Sequence, residues 1–447
     1  MAPKLGWLAI VRLGLVQTAL GAVVVLMTST LNRVMVVELA LPAMIPGALV
    51  TLHYAVQVLR PRWGYGSDVG GRRTPWIVGG MAALCLGGFG AATATALMET
   101  QLSTGIALAI LSFLLVGMGA GAAGTSLLVL LAGGVDARRR GAAATIVWVM
   151  MIAGFAITAP IAGHFLDPFS GVRLVMVSGT VSLAAFALAC LAIRGIEPRR
   201  AAVAPSDAGG KRPFREVLAR VWSEPASRRF TIFIFVAMLA YSAQELILEP
   251  FAGLVFAMTP GATTKLSGLQ HGGVLAGMLT VAGLTMGIGG PYLGSLKVWT
   301  ATGCAGSALA LAGIAVGGLV GPDFPLRAAI FALGLFNGMF AVAAIGSMMG
   351  LAGAGDEAER GTRMGVWGAA QGVAFGAGGF LGTMAVDLAR LVSPEPVHAY
   401  AAVFLAEAAL FLVGAALAMR IEHAAATQLR RPARPAEPVL QPRLSLR

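Results

Sequence analysis

The sequence predicts an all-α integral membrane protein, with twelve transmembrane helices in two six-helix bundles and both termini in the cytoplasm. Three observations carry that expectation. The 447 residues are 57% hydrophobic and 12% charged, with a mean hydropathy of +0.82, which leaves too little polar surface for a soluble domain. The apolar residues fall into runs of about 20 without period-two alternation, the length at which a helix crosses a bilayer with its backbone satisfied internally. A polar break from Arg194 to Arg229 divides six such runs from six more.

The first run, 13–33, follows Lys4 and Arg12, outlasts a signal-peptide core and lacks a small-residue cleavage site, so it reads as a retained first helix. Runs at 42–60, 75–97, 104–131, 142–163 and 172–194 complete an N-terminal bundle, residues 1–194. In the linker 195–228, the stretch Pro198 to Gly210 is rich in Ala, Pro and Gly and reads as flexible. Phe214, Val217, Leu218, Val221 and Trp222 then recur at helical spacing, as in an amphipathic interfacial helix. Runs at 229–249, 272–292, 298–320, 326–351, 364–387 and 399–420 form the C-terminal bundle, 229–420. The tail, 421–447, holds four prolines and five arginines and reads as a disordered basic cytoplasmic segment.

Charge sets the orientation. With the N-terminus inside, only Arg33, Arg173, Lys265, Arg327 and Arg390 of the 32 basic residues fall on or near the far side. The net charge of +12 is then topology plus attraction to anionic lipids, not a nucleic-acid footprint. Cys85, Cys190 and Cys304 stand alone in separate runs, so neither a disulfide nor a metal site is expected.

Between the second and third runs lies Gly64-Tyr65-Gly66-Ser67-Asp68-Val69-Gly70-Gly71-Arg72-Arg73. Its glycines suit a tight turn, Asp68 can bond a helix N-terminus or pair with arginines, and Arg72 and Arg73 hold the loop on the cytoplasmic side. The spacing G-x-x-x-D-x-x-G-R-[RK] resembles the gating loop between helices 2 and 3 of major facilitator superfamily transporters. The halves also repeat weakly: Arg138-Arg139-Arg140-Gly141 precedes Trp148 as Glu357-Ala358-Glu359-Arg360-Gly361 precedes Trp367. Asn32-Arg33 with Glu38 matches Gln244-Glu245 with Glu249, with the charge inverted. Arg33 could therefore latch onto Glu245 or Glu249 across the cavity; the plain alternative leaves all three solvated at helix ends.

Ionisable groups within the runs are scarce. His53 is the one histidine inside a run, with Gln57 one turn on and Tyr54 adjacent. It reads either as a ligand for the magnesium of a chlorophyll-type pigment or as a hydrogen-bonded histidine between helices. Gln17, Tyr241, Gln244, Asn337 and Gln371 read as inter-helix hydrogen bonders. Glu407 is the one carboxylate well inside a run, while Asp387 and Glu38 sit at ends, so a titratable group at the midplane is not evident. The Gly117-Met118-Gly119-Ala120-Gly121 and Gly376-Ala377-Gly378-Gly379 stretches read as sites of close helix packing. With no nucleophile, metal cluster or paired carboxylates at a cavity position, an enzyme is not expected.

Three stretches narrow the resemblance. Thr30-Leu31-Asn32-Arg33-Val34-Met35-Val36-Val37-Glu38-Leu39, Ala243-Gln244-Glu245-Leu246-Ile247-Leu248-Glu249-Pro250-Phe251-Ala252-Gly253 and Ala262-Thr263-Thr264-Lys265-Leu266 resemble the PucC/LhaA, or bacteriochlorophyll delivery, family. The loop before the third run is shorter than expected of the family's antenna-assembly members and closer to the general superfamily pattern, which points to the paralogue group associated with pigment-synthesis genes. The resemblance implies a membrane assembly factor of phototrophic bacteria that takes bacteriochlorophyll as cargo from synthesis enzymes to light-harvesting or reaction-centre polypeptides. Its place would be the cytoplasmic or intracytoplasmic photosynthetic membrane. Candidate ligand residues are then His53, Gln57, Asn32, Arg33, Gln244, Glu245 and Glu249. Val34 to Val37 and Phe251 to Met258 are candidates for an apolar groove. A proton-coupled transporter of a small solute and a structural scaffold are the competing readings.

Overall fold

The computed structural model describes residues 5–59, 72–136, 139–197, 222–285, 295–354 and 360–429. Helix α1 spans Trp7–Val25 and continues through wider, i→i+5 turns at Leu26–Leu31 and Val34–Glu38. There follow α2 (Met44–Val56), α3 (Thr74–Leu97), α4 (Leu102–Gly134), α5 (Arg140–Leu166) and α6 (Gly171–Ile193). The second half holds α7 (Pro225–Phe256), α8 (Pro260–Gly283), α9 (Leu296–Val320), α10 (Leu326–Ala354), α11 (Arg360–Val392) and α12 (Pro396–Leu429). Among the described residues there is no strand, and 10 helices are long and apolar enough to cross a membrane. Of the other two, α2 has only 13 residues, and α8 is diluted by Thr263, Thr264, Lys265, Gln270 and His271.

The helix pairs that pack together repeat with an offset of six. Within the first half the neighbours are α1 with α5 and α6, α3 with α4 and α6, and α2 with α4. Within the second they are α7 with α11 and α12, α9 with α10 and α12, and α8 with α10. Each half has its own apolar core, one around Leu84, Phe113 and Leu174, the other around Phe233, Phe251 and Phe340. The halves meet along two equivalent seams, α5 on α8 and α2 on α11. Leu86, Leu111, Phe165, Leu183, Leu309 and Leu391 are exposed on the outer surface, the apolar exterior that a lipid solvent requires.

Several helix ends differ from the sequence expectation. Helix α1 does not stop at Arg33, because the wider turns let it continue to Glu38 with Val34, Met35 and Val36 buried. Helix α7 passes through Pro250 to Phe256, and Phe251 and Ala252 are fully buried. Of the two stretches expected to line a groove, Val34 to Val36 and Phe251 to Gly253 are packed inside the protein, while Val37 and Leu254 to Met258 stay partly exposed. Helix α8 starts at Pro260 rather than 272: the Thr259 hydroxyl accepts from the Ala262 amide, and Pro260 supplies the preset first-turn φ. Polar residues in its first turns masked it in the hydropathy pattern. The stretch 421–429 continues α12 instead of opening a disordered tail. Gly64, Asp68 and Gly71 of the gating loop, the expected interfacial helix before Trp222 and the remainder of the tail lie outside the described residues.

The glycine-rich stretches are packing sites. A Cβ on Gly80 would stand 2.6 Å from the Ala123 amide nitrogen, and one on Gly119 would stand 2.5 Å from the Gly80 carbonyl oxygen, so α3 and α4 cross backbone to backbone.

Candidate functional site

The densest buried polar group lies where α1, α7 and α8 meet. Pro250 has no N–H for the Leu246 carbonyl one turn earlier in α7. Asn32, only 1% exposed, donates its Nδ2 to that carbonyl at 2.6 Å, closing from α1 the bond that the proline leaves open. One turn away the Thr30 and Thr264 hydroxyls bond each other at 2.9 Å. The Arg33 guanidinium pairs with Glu38 on its own helix and donates to the Met258 carbonyl at 2.8 Å. The expected latch to Glu245 or Glu249 is thus replaced by a local pair, because the extended α1 carries Glu38 back within reach. The Glu249 carboxylate, 3% exposed, faces Ser29, Thr263, Ser267 and Arg33, yet neither oxygen closes a hydrogen bond. Gln244 is fully buried with no partner for its amide among the described residues, and Glu245 lies beside Tyr241. Glu245 and Glu249 are inside α7 rather than past its end, so Glu407, buried in α12, is not the one carboxylate within a helix.

Two aspartates tie the halves together at the same end of the molecule. Asp167, just past α5, accepts from the Thr259 hydroxyl at 2.9 Å and the Gly261 amide at 3.1 Å, capping α8. Asp387 on α11 accepts from the Ala43 and Met44 amides at 3.0 and 2.8 Å, capping α2. The two caps are related by the six-helix repeat. Nearer the middle, the Thr51 hydroxyl donates to the Gly376 carbonyl at 2.8 Å, and Tyr54 meets Phe375 with ring centroids 5.5 Å apart.

His53 is buried on α2, and the Gln57 amide nitrogen is 3.0 Å from its Nε2. That nitrogen accepts from Gln57, a bond within one helical segment rather than between helices. A second intrahelical histidine, His271, was hidden by the misplaced start of α8. It is 3% exposed, its Nδ1 donates to the Ser267 carbonyl at 2.9 Å, and its ring stands edge-on to Phe155 at 4.8 Å, across the α5–α8 seam. Since a carbonyl only accepts, the neutral ring keeps its lone pair on Nε2.

At the opposite end, the first turn of α3 is capped by a residue that sequence reasoning missed. Glu197, beyond α6, accepts from the amides of Arg73 at 2.8 Å and Thr74 at 2.7 Å and from the Thr74 hydroxyl at 2.7 Å. Burial alone would raise its carboxyl, but the Thr74 hydroxyl, the two amides and the Arg72 charge outweigh it and hold it below the ordinary value. Its signal, a lone carboxylate after the sixth run, was hidden among the basic residues around it. Beside this cap, α3 and α4 flank a lateral groove of about 390 Å³, lined by residues that include Trp76, Ala83, Leu115 and Met118, with Gly80 and Gly119 in its wall. Its lining is almost wholly apolar.

Comparison with known proteins matches residues 30–426 to the family model described as PUCC protein. The chain is 53% identical over 414 residues to the bacteriochlorophyll synthase 44.5 kDa chain of Rhodobacter capsulatus, covering 93% of this chain and 95% of that one. It is 30% identical to the protein PucC of Cereibacter sphaeroides, covering 90% of each, and 29% identical to that of Rhodobacter capsulatus, covering 92% and 91%. The nucleoside transporter NupG superposes with a TM-score of 0.64 over 93% of this chain and 99% of its own, at 14% identity. That last likeness is one of fold. The curled-back α1, the Asn32 and Glu249 seam and the two six-helix halves are the frame of a membrane protein that belongs to the PucC family.

Proposed function

We propose that the protein is a non-catalytic membrane assembly factor that binds bacteriochlorophyll as cargo and passes it to light-harvesting or reaction-centre polypeptides. The observation that carries this reading is the 53% identity, end to end, with a relative named for bacteriochlorophyll synthesis. In it all twelve helices cross the inner or photosynthetic membrane, the termini face the cytoplasm, and the synthesis enzymes and antenna polypeptides are its partners.

The α3–α4 groove supports the reading physically. A pigment with a hydrocarbon tail partitions into lipid and is best received from the side, by apolar walls, and 390 Å³ lies in the range of small-molecule sites. His53 fits less well than expected as a magnesium ligand, because Gln57 occupies its Nε2. The helix-end anchors Asn32, Arg33, Gln244, Glu245 and Glu249 belong to the seam between the halves, which suits a part in conformational change more than direct contact with cargo.

The test is the absorption spectrum of the protein extracted in mild detergent from a phototrophic host. A bacteriochlorophyll band that falls in Trp76→Ala and persists in His53→Ala supports the reading. Pigment-free protein that takes up protons with a small solute in vesicles would instead mark a transporter.

A further inference from the structure

The α1–α7–α8 seam has an uneven charge inventory. Arg33 is committed to Glu38 as an ion pair, which leaves Glu249 as a buried carboxylate that feels the Arg33 charge but forms no salt bridge of its own. Glu245, one turn back on α7, brings no cation to offset it. A bare carboxylate in such surroundings is too costly to persist, so it either takes up a proton or shares its charge with a cation.

The groups around Glu249 indicate which. Its neighbours are the hydroxyls of Ser29, Thr263 and Ser267, all hard oxygen donors and all at most 4% exposed. A hydroxyl beside a carboxylate ordinarily donates to it. Here the three hydroxyls are near enough to Glu249 to act on its carboxyl, yet both Glu249 oxygens and the Ser29 oxygen are buried without a partner in hydrogen-bond geometry. A buried carboxylate ringed by hydroxyl oxygens that do not close good bonds to it is an all-oxygen donor set of the kind that surrounds a hard cation. The backbone is irregular at the same point: α1 is wound in wider turns over Leu26–Leu31, and α7 carries Pro250 next to Glu249. Interrupted helices are where membrane proteins hold small cations. A single carboxylate with a guanidinium nearby is too little negative charge for calcium or magnesium, which gather more carboxylate than this.

We propose that Glu249, Ser29, Thr263 and Ser267 form a site for a monovalent alkali cation of the sodium class, shared between the two halves of the protein. Ser29 comes from α1, and the other three ligands come from α7 and α8. A bound cation holds the seam closed at the end where Asp167 and Asp387 also tie the halves. The proposal is independent of what cargo the protein carries.

The test is the thermal unfolding of the purified full-length protein in detergent, at fixed pH and ionic strength, in sodium, potassium or N-methylglucamine chloride. Sodium is expected to raise the midpoint in a saturable way, more than potassium and far more than N-methylglucamine. Glu249→Gln should abolish the difference. Ser29→Ala, which keeps the carboxylate and serves if the first variant does not fold, should raise the half-saturating sodium concentration by about tenfold or more. Identical midpoints in the three salts would overturn the site, as would full sodium stabilisation in Glu249→Gln. A wild-type midpoint that follows pH without distinguishing the salts would also overturn it, assigning a proton to the carboxyl instead.

Discussion

The bond from Asn32 to the Leu246 carbonyl can be tested through its cause. Asn32→Leu keeps the side-chain volume but removes the donor, leaving the carbonyl that Pro250 has already deprived of its helical partner. An orphaned buried carbonyl costs about 1–3 kcal/mol. Part of this is returned, because the substitution also removes the Asn32 Oδ1, which is itself buried without a partner. Bonds between membrane helices measure about 0.6–1.7 kcal/mol, so the net expectation is a loss of about 1 kcal/mol. Pro250→Ala should cancel it, since the new amide can donate to Leu246 within α7. The assay is a double-mutant cycle read by reversible unfolding in mixed detergent micelles. Asn32→Leu should cost about 1 kcal/mol in the wild-type background and close to nothing in Pro250→Ala. The same cost in both backgrounds would refute the account, because Asn32 would then be acting through something other than the carbonyl that the proline orphans.

Arg33→Gln leaves the half-exposed Glu38 unpaired and the Met258 carbonyl without its donor and should destabilise by about 1–3 kcal/mol; exchanging Arg33 with Glu38 should recover part of it, and exchanging Arg33 with Glu245 should not, as thermal midpoints would report. Glu197→Gln weakens the α3 cap by about 0.5–2 kcal/mol. Because the folded Glu197 carboxyl titrates below its ordinary 4.5, its stabilisation is present above that value and is lost as pH falls through the lower folded one; melts across the acid range should show this component in wild type and not in the variant. Gly80→Ala places a methyl against the α4 backbone at Ala123 and should cost about 1–3 kcal/mol, seen as a lower yield of monodisperse protein in size-exclusion chromatography.

Hydropathy and charge were enough to read the helical class, because backbone polarity in lipid leaves only helices and closed barrels, and the apolar runs lack the period-two alternation of a barrel. What misled was polarity inside helices. The first turns of α8, with Thr263, Thr264 and Lys265, resemble a loop in any window average, and so the run placed at 272–292 left His271 outside it. The cues that locate α8, Thr259 and Pro260, are cap chemistry and independent of hydropathy. The Arg33, Glu38 and Glu249 group was legible as a set, yet its pairing was not, since it depends on α1 winding through wider turns that no residue pattern announces. Glu197 as the cap of α3 joins residues more than a hundred positions apart, a relation that only the packing of α3 against α6 creates.

The two aspartate caps have a mechanical consequence. Each grips the start of a helix in the other half, and the repeat sets them on opposite seams, so neither can be released by a rotation that leaves the other strained in the same sense. With one cap cut, the halves could pivot about the survivor; with both intact, this end parts only when two sets of backbone amides are surrendered together. The two caps thus add four amide and hydroxyl donors, at two remote points, to the bonds of the α1–α7–α8 seam, and removing both carboxylates should lower the cost of opening by more than the two single changes combined.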